Sequence, residues 1–197
     1  MAISTYAELL TACENWLDRS DLDDRIPEFI VLGEARIGRE VKAKQMEQRV
    51  STTPTSVYVN VPSDFVSIRG VRIQGSIGGW LDYISPDAFF THFPSSTTAV
   101  SNKYTIFGDE LIFPKTPTGD VELWYYKKLT ALASATNTLF TVNPDLYLYA
   151  ALCASAPYLV ADKRIQVWEG LYRQAKDSVN LSHEMGRFPA GLKMVAA

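Results

Sequence analysis

The chain has 197 residues, of which 47% are apolar and 21% are charged. This composition is typical of a globular protein, and it excludes a collagen-like repeat, low-complexity disorder and a disulfide-based scaffold. Lysine and arginine number 19 against 22 aspartate and glutamate residues, so the net charge is −3. A domain that grips nucleic acid through its phosphates is usually basic, so phosphate-driven binding is not the expected activity.

Cysteine and histidine are scarce, with two residues of each. Cys13 and Cys153 fall within apolar helical patterns, which predicts free buried thiols. The chain has only two histidines, His92 and His183, which is too few for a histidine-rich metal site. The same scarcity disfavours a Ser-His-Asp triad. The longest nearly uncharged run, around residues 146–161, is shorter than the ~18 residues of a spanning helix, so we expect a soluble protein.

The N-terminal segment has the pattern of two helices. Thr5 and Glu8 have the spacing of a capping box, and the apolar stripe that follows predicts a helix ending near Arg19. A second helix is predicted from Arg25, with a proline in its first turn. Gly33 interrupts its apolar stripe at a cost of about 1 kcal/mol relative to alanine, and a close helix–helix contact would explain the glycine.

The far end of the second helix carries positive residues interleaved with glutamates up to Arg49. One interpretation is a solvated, salt-bridged helix face whose cations favour the C-terminal dipole. The other is a charged surface that meets a neighbouring subunit, for which the candidates are Arg36, Arg39, Glu40 and Lys42.

The middle of the chain is β-like. A linker is predicted over residues 50–56, where serine, threonine and proline concentrate, and alternating strands follow it. Residues 104–113 predict a hairpin whose Gly-Asp turn uses the positive φ of glycine. The apolar strand over residues 121–127 is predicted to lie at the centre of its sheet or to be covered on one face by a partner.

Two further helices are predicted after a linker over residues 129–141. The first begins at Asn143 and is kinked or broken near Pro157, and the last begins after Asp162 and ends near Gly186. The predicted fold class is therefore α+β: a bundle of residues 1–50 and 143–185, an inserted antiparallel β module over 55–130, and an extension over 186–197.

No motif for a catalytic, cofactor-binding or metal site occurs in the sequence, so none of these sites is predicted. Three alternatives remain open. A small hydrolase could use the turn carboxylates, or Asp64 with His92 and a serine, and a single-stranded nucleic-acid binder could use the aromatic run over 124–128. The turn carboxylates are Asp82, Asp87, Asp109 and Glu110.

The acidic loop over residues 21–24 lacks the glycine and the closing glutamate of an EF-hand calcium site.

The order of these elements resembles the head-to-tail adaptor, or connector, proteins of tailed bacteriophages. The resemblance covers about residues 3–180 and is carried by these segments: ISTYAELLTACENWLDRSDLDDRIPEFIVLGEARIGRE, VPSDFVSIRGVRI, YISPDAFF, YTIFGDELIFP, VELWYYKKLTAL and PDLYLYAALCASAPYLVADKRIQVWE. It implies a structural, non-enzymatic virion protein without a cofactor, located at the neck and made in the host cytoplasm.

The resemblance also implies partners. Such proteins form a ring, commonly of twelve copies, that docks beneath the portal protein, extends the DNA channel and presents a platform to tail proteins. DNA would pass without specific binding, and no membrane is involved. The C-terminal extension reaches into the portal in such proteins, which makes these residues the portal-binding candidates: Arg187, Phe188, Leu192, Lys193 and Met194.

Overall fold

The computed structural model describes residues 3–75, 79–94, 102–159 and 162–187. It has the α+β class expected from the sequence, with helices and with sheets whose strand pairs are antiparallel except for one. Asp82–Tyr83 pairs in parallel with Lys103–Tyr104, which departs from the expected antiparallel module. The chain divides into two compact units. The helical unit is formed by the residues before Glu47 and those from Leu129 onward, and the β unit is Glu47–Lys128.

The helical unit begins with α1, Tyr6–Leu17, and α2, Ile26–Glu40. The predicted capping box at the start of α1 is confirmed, because Thr5 Oγ1 accepts the N–H of Glu8 at 3.2 Å and Glu8 Oε2 accepts the N–H of Thr5 at 2.9 Å. A 3₁₀ helix over Ser20–Arg25 leads directly into α2, whose first turn holds the expected proline.

The second half of the chain adds α4, Thr138–Val142, α5, Pro144–Ala154, and α6, Arg164–Arg187, to this unit. The helix α5 packs against α1, α2, α4 and α6, so it is buried on several sides and carries few polar residues. The break expected near Pro157 is confirmed, since α5 ends at Ala154 and a 3₁₀ turn over Ala156–Tyr158 follows. Asp162 Oδ1 accepts the N–H of Arg164 at 2.8 Å at the start of α6.

Gly33 lies where α2 crosses α5. A Cβ atom built on Gly33 would stand 2.9 Å from the backbone nitrogen of Ala151 and 3.1 Å from the Cβ of Ala150. Both distances are shorter than ordinary van der Waals contact, so the two helix backbones can approach this closely only at glycine. The close contact predicted from the glycine is therefore confirmed.

The β unit contains two sheets and the short helix α3, Pro86–His92. The first sheet has the order β1-β7-β3, and its strands are β1 (Glu47–Thr52), β3 (Phe65–Ile73) and β7 (Val121–Lys127). The second sheet has the order β2-β6-β5-β4, and its strands are β2 (Tyr58–Asn60), β4 (Asp82–Tyr83), β5 (Lys103–Phe107) and β6 (Glu110–Ile112). The hairpin β5–β6 turns at Gly108, whose φ is +60°.

Strand β7 is central in its sheet, as its apolar sequence predicts. Its residues Val121, Leu123 and Tyr125 are buried in the core of the β unit. Side chains of the second sheet complete that core, among them Val59, Tyr104, Leu111 and Phe113. The two sheets therefore bury their apolar faces against each other.

Three expected boundaries are wrong. The predicted linker over 50–56 contains the end of β1, whose backbone pairs with β7 from Glu47 to Thr52 although its sequence is polar. Helix α2 ends at Glu40, before the later basic residues that were expected on its far end. The predicted linker over 129–141 contains the start of α4, where Asn137 Oδ1 accepts the N–H of Phe140 at 2.9 Å and caps the helix.

Candidate interaction surfaces

An ion-pair network joins α2 to α6. The guanidinium of Arg36 donates to both carboxylate oxygens of Glu169, at 2.9 and 2.7 Å, and its Nε donates to Glu40 at 3.0 Å. Lys176 Nζ lies 3.6 Å from the other oxygen of Glu40, and the Arg36 Cζ lies 4.1 Å from the ring centroid of Tyr172. The bidentate geometry fixes the two helices in register.

The same network sets the protonation of its members. The hydrogen bonds from Arg36 lower the pKa of Glu169 to about 2, and those from Glu169 raise the pKa of Arg36. Burial of Cys153 on α5, with Glu169 as a neighbour, raises the pKa of this thiol to about 12. At neutral pH the Cys153 thiol is therefore neutral, and the carboxylates of Glu169 and Glu40 are charged. The cluster thus acts as a structural clamp between α2 and α6.

Asn180 extends this clamp to the end of α2. Its Oδ1 accepts the N–H of Lys42 at 2.9 Å, and its Nδ2 lies 3.4 Å from the carbonyl oxygen of Glu40. The amide thus satisfies backbone groups that a helix C-terminus leaves without partners. This contact holds the second half of α6 against the end of α2.

The four candidate subunit-interface residues separate into two pairs. Arg36 and Glu40 are engaged within the chain by the network described above. Arg39 and Lys42 are exposed, and Arg39 makes no ion pair with any residue that the structure describes. Exposure alone thus does not separate the four residues, because Glu40 is exposed as well.

Helix α2 exposes a strip on the side opposite its core residues, formed by Glu28, Val31, Leu32, Ala35 and Arg39 and called here the α2 outer face. Val31 is 55% exposed and Leu32 is 49% exposed. Helix α6 exposes a second strip, formed by Val167, Gln174, Ser178, Leu181 and Met185 and called the α6 outer face. Its apolar members are 57 to 67% exposed. The members of each strip lie on one side of their helix.

The first sheet carries an aromatic and charged face on the side away from its core. Trp80, which is 54% exposed, lies against the backbone of Gly70, where an added Cβ would stand 2.7 Å from the indole. Trp80 meets Trp124 edge to face with centroids 5.8 Å apart, and the Arg49 Cζ lies 5.8 Å from the Trp124 ring. A side chain at position 70 would collide with the indole of Trp80, which explains the glycine there.

Two of the three rings in the aromatic run over residues 124–128 are buried. Tyr125 and Tyr126 are buried at 3% and 5% exposure, and the hydroxyl of Tyr125 donates to Asp64 Oδ1 at 2.8 Å. Rings in this position cannot stack on bases. Their place at the centre of the sheet fits the interpretation of this run as a core strand.

The turn carboxylates lie on separate elements of the β unit. Asp82 on β4, Asp87 in the first turn of α3 and Asp109 in the hairpin turn are all exposed. A pair of catalytic carboxylates works in a cleft that excludes water, and exposed carboxylates have no such surroundings. The structure thus gives these residues no shared dry cleft.

The other candidate groups for chemistry are also occupied or exposed. Asp64 accepts the Tyr125 hydroxyl, whereas His92 is exposed at the end of α3 beside Phe93. In the acidic loop, Asp21 pairs with Arg19. Across the described ranges, no group of three histidine, cysteine, aspartate or glutamate side chains could hold a metal ion.

The portal-binding candidates fall at the end of the chain. Arg187 is the last residue of α6. Phe188, Leu192, Lys193 and Met194 lie outside the described residues. Within the part of the chain that is described, every helix is too short or too polar to span a bilayer.

Sequence reasoning missed the partners that hold Arg36 and Glu40. Glu169 and Lys176 stand more than 130 residues away in the chain, and no local pattern links them to α2. The α2 outer face was also missed, although Val31 and Leu32 are visible as apolar residues outside the predicted stripe.

The described residues thus present faces suited to packing, as expected of a structural protein. The sequence model of the family described as SU10 adaptor protein matches residues 4–192. The chain therefore belongs to this family and is a bacteriophage head-to-tail adaptor. Membership in a family of structural adaptors implies a non-enzymatic role. No match to the chain was found among curated proteins.

Proposed function

We propose that copies of this chain form a ring beneath the portal protein, extend the DNA channel and give tail proteins a platform for attachment. The observation that carries this proposal is the family match over residues 4–192. In this role the protein lies at the neck of the virion and is made in the host cytoplasm.

The charge of the chain supports a passive conduit. Each copy has a net charge of −3, so a ring of twelve would carry about −36. Every lysine or arginine that neutralises a phosphate adds binding energy that would retard moving DNA. A mildly acidic ring lets DNA pass without specific binding.

The C-terminal segment is the proposed portal contact. It follows directly on α6 and contains four large apolar residues, which a segment without a partner would expose to water. Apolar side chains of this kind are typical anchors in a hydrophobic groove of a partner. The residues assigned to the contact are Arg187, Phe188, Leu192, Lys193 and Met194.

The proposed portal contact is tested by co-sedimentation with portal particles of the same phage. A variant that combines Phe188→Ala, Leu192→Ala and Met194→Ala should lose binding, whereas Thr11→Ala on the exposed side of α1 should retain it. Both variants should keep the thermal unfolding of the unmodified chain. Undiminished binding of the triple variant would remove the C-terminal segment from the proposal.

The competing functions receive no support from the candidate residues. A hydrolase would need turn carboxylates held together in a dry cleft, and Asp82, Asp87 and Asp109 are exposed. A single-stranded nucleic-acid binder would need accessible rings, and Tyr125 and Tyr126 are buried. An adaptor needs neither a cofactor nor a metal ion.

A further inference from the structure

A polar cavity of about 260 Å³ lies in the helical unit, where the second half of α6 meets the junction of α4 with α5. A short 3₁₀ turn before the β unit, the junction itself and α6 all contribute to its walls. The volume is slightly below the ~300–1,000 Å³ of pockets that hold drug-sized ligands, so the cavity suits a smaller molecule. The polar residues that line it are Lys44, Gln45, Asn143, Ser178, Ser182 and His183.

Four of these side chains keep their hydrogen-bond donors free within the chain. The side chains of Lys44 and Gln45, and the hydroxyls of Ser178 and Ser182, make no hydrogen bond or ion pair with any residue that the structure describes. The two serines lie one helical turn apart, so both hydroxyls stand on the same side of α6. These donors differ in this respect from Asn180 on the same helix, which is bound to the end of α2.

The charge that lines the cavity is positive. A lysine and a histidine lie among its described lining residues, and no aspartate or glutamate does. Successive residues of a helix are about 100° apart, so Asp177, before Ser178, and Glu184, after His183, point away from the cavity side of α6. Asp145 in the first turn of α5 is exposed and does not line the cavity. The expected ligand is therefore an anion.

We propose that this cavity binds a small phosphate-bearing molecule, such as inorganic phosphate or a nucleoside monophosphate. The ammonium group of Lys44 would pair with the phosphate charge, and the hydroxyls of Ser178 and Ser182 would donate to its oxygens. A tetrahedral phosphate directs its oxygens to several walls of a cavity at once, whereas a carboxylate has two oxygens in one plane. The distribution of donors over three segments of the chain thus favours phosphate.

A bound phosphate would connect segments that are far apart in the sequence. It would join the 3₁₀ turn that holds Lys44 to the two serines of α6, beside Asn143 at the start of α5. A ligand that binds only the folded chain stabilises it, so the helical unit should gain stability. The site goes beyond the adaptor role and depends neither on a ring nor on the portal.

Nuclear magnetic resonance of the ¹⁵N-labelled full chain tests the site. The chain is titrated with inorganic phosphate at constant ionic strength. The backbone amides of Asn143, Ser178 and Ser182 should shift and saturate in the millimolar range, whereas that of Thr11 on α1 should not move. The absence of a saturable shift at these amides would overturn the proposal, and so would an equal affinity for acetate.

Substitutions then test the assigned donors. Lys44→Gln, and Ser178→Ala combined with Ser182→Ala, should each weaken phosphate binding by about tenfold or more, because each removes hydrogen bonds to a charged ligand. Lys163→Gln, at an exposed position just before α6, is the matched control and should keep the affinity of the unmodified chain. Equal affinities for Lys44→Gln and Lys163→Gln would contradict the proposal.

Two further ligands identify the source of the phosphate. Adenosine monophosphate that binds at least as tightly as inorganic phosphate would assign the site to a nucleotide, and weaker binding would assign it to the free ion. A short DNA duplex that shifts the same amides, with an affinity that depends on Lys44, would overturn the proposal in favour of a DNA contact. None of these measurements involves portal particles, so their failure would leave the adaptor function standing.

Discussion

Adding a single methyl group at Gly33 should destabilise the helical unit. The new Cβ would lie 2.9 Å from the Ala151 nitrogen and 3.0 Å from the Ala150 carbonyl carbon, and both atoms belong to the backbone of α5. A backbone inside a packed helix cannot move aside as a flexible side chain can. Overpacking of this kind costs about 1–3 kcal/mol, which opposes the gain of about 1 kcal/mol that alanine brings to a helix.

Gly38 on the same helix and Gly170 on α6 are matched controls, because a Cβ at either position meets nothing within 4 Å. Gly38→Ala and Gly170→Ala should therefore raise the stability by up to about 1 kcal/mol, which is about 2–4 °C in Tm for a chain of this size. Gly33→Ala should leave Tm unchanged or lower it, and Gly33→Val should lower it further.

Thermal unfolding followed by circular dichroism at 222 nm measures all four variants, since helix α2 lies in the unit that supplies most of the helical signal. A rise in Tm for Gly33→Ala equal to that of Gly38→Ala would refute the close crossing of α2 and α5. A Gly33→Val variant with the same Tm as the unmodified chain would refute the close crossing more strongly.

Three further predictions concern pH, a helix cap and a turn. The pKa of Glu169 is lowered from 4.5 to about 2, so its pairing with Arg36 stabilises the fold above pH 4.5 and is lost as the pH falls toward 2. Acid unfolding of Glu169→Gln should therefore show a shallower loss of stability over that range, and an identical slope would contradict the pairing. Thr5→Ala should cost about 1 kcal/mol in urea unfolding because it removes the cap of α1, with Thr11→Ala as the neutral control. Gly108→Ala should destabilise the β unit by about 1–2 kcal/mol, because a residue with a Cβ atom is strained at the positive φ of this position. Equal urea midpoints for the variant and the unmodified chain would rule this out.

The features that the sequence predicted are those that depend on local chemistry. Thr5 and Glu8 cap a helix through groups three residues apart, and Gly108 forms a turn between two neighbouring strands. Gly33 is a partial exception, because its unfavourable propensity indicated a close contact but not the helix that makes it. The capping box and the hairpin turn can be predicted without knowing the rest of the fold.

The features that the sequence did not predict depend on distant partners. Strand β1 is polar and forms because β7 offers it a row of backbone groups that lie 69 to 79 residues away in the chain. Arg36 is paired by Glu169, which lies 133 residues away in the chain, so the sequence could not decide whether its charge faces solvent, a neighbour or its own chain. The outer faces became recognisable only when the packing showed which sides of α2 and α6 remain exposed.

The role as a ring-forming adaptor is tested most directly by electron microscopy of the full chain mixed with portal particles of the same phage. We predict a closed ring of this protein on one face of the portal, with the channel continuous through both. Portal particles that remain bare at saturating concentrations of the chain, or copies bound without forming a ring, would contradict it.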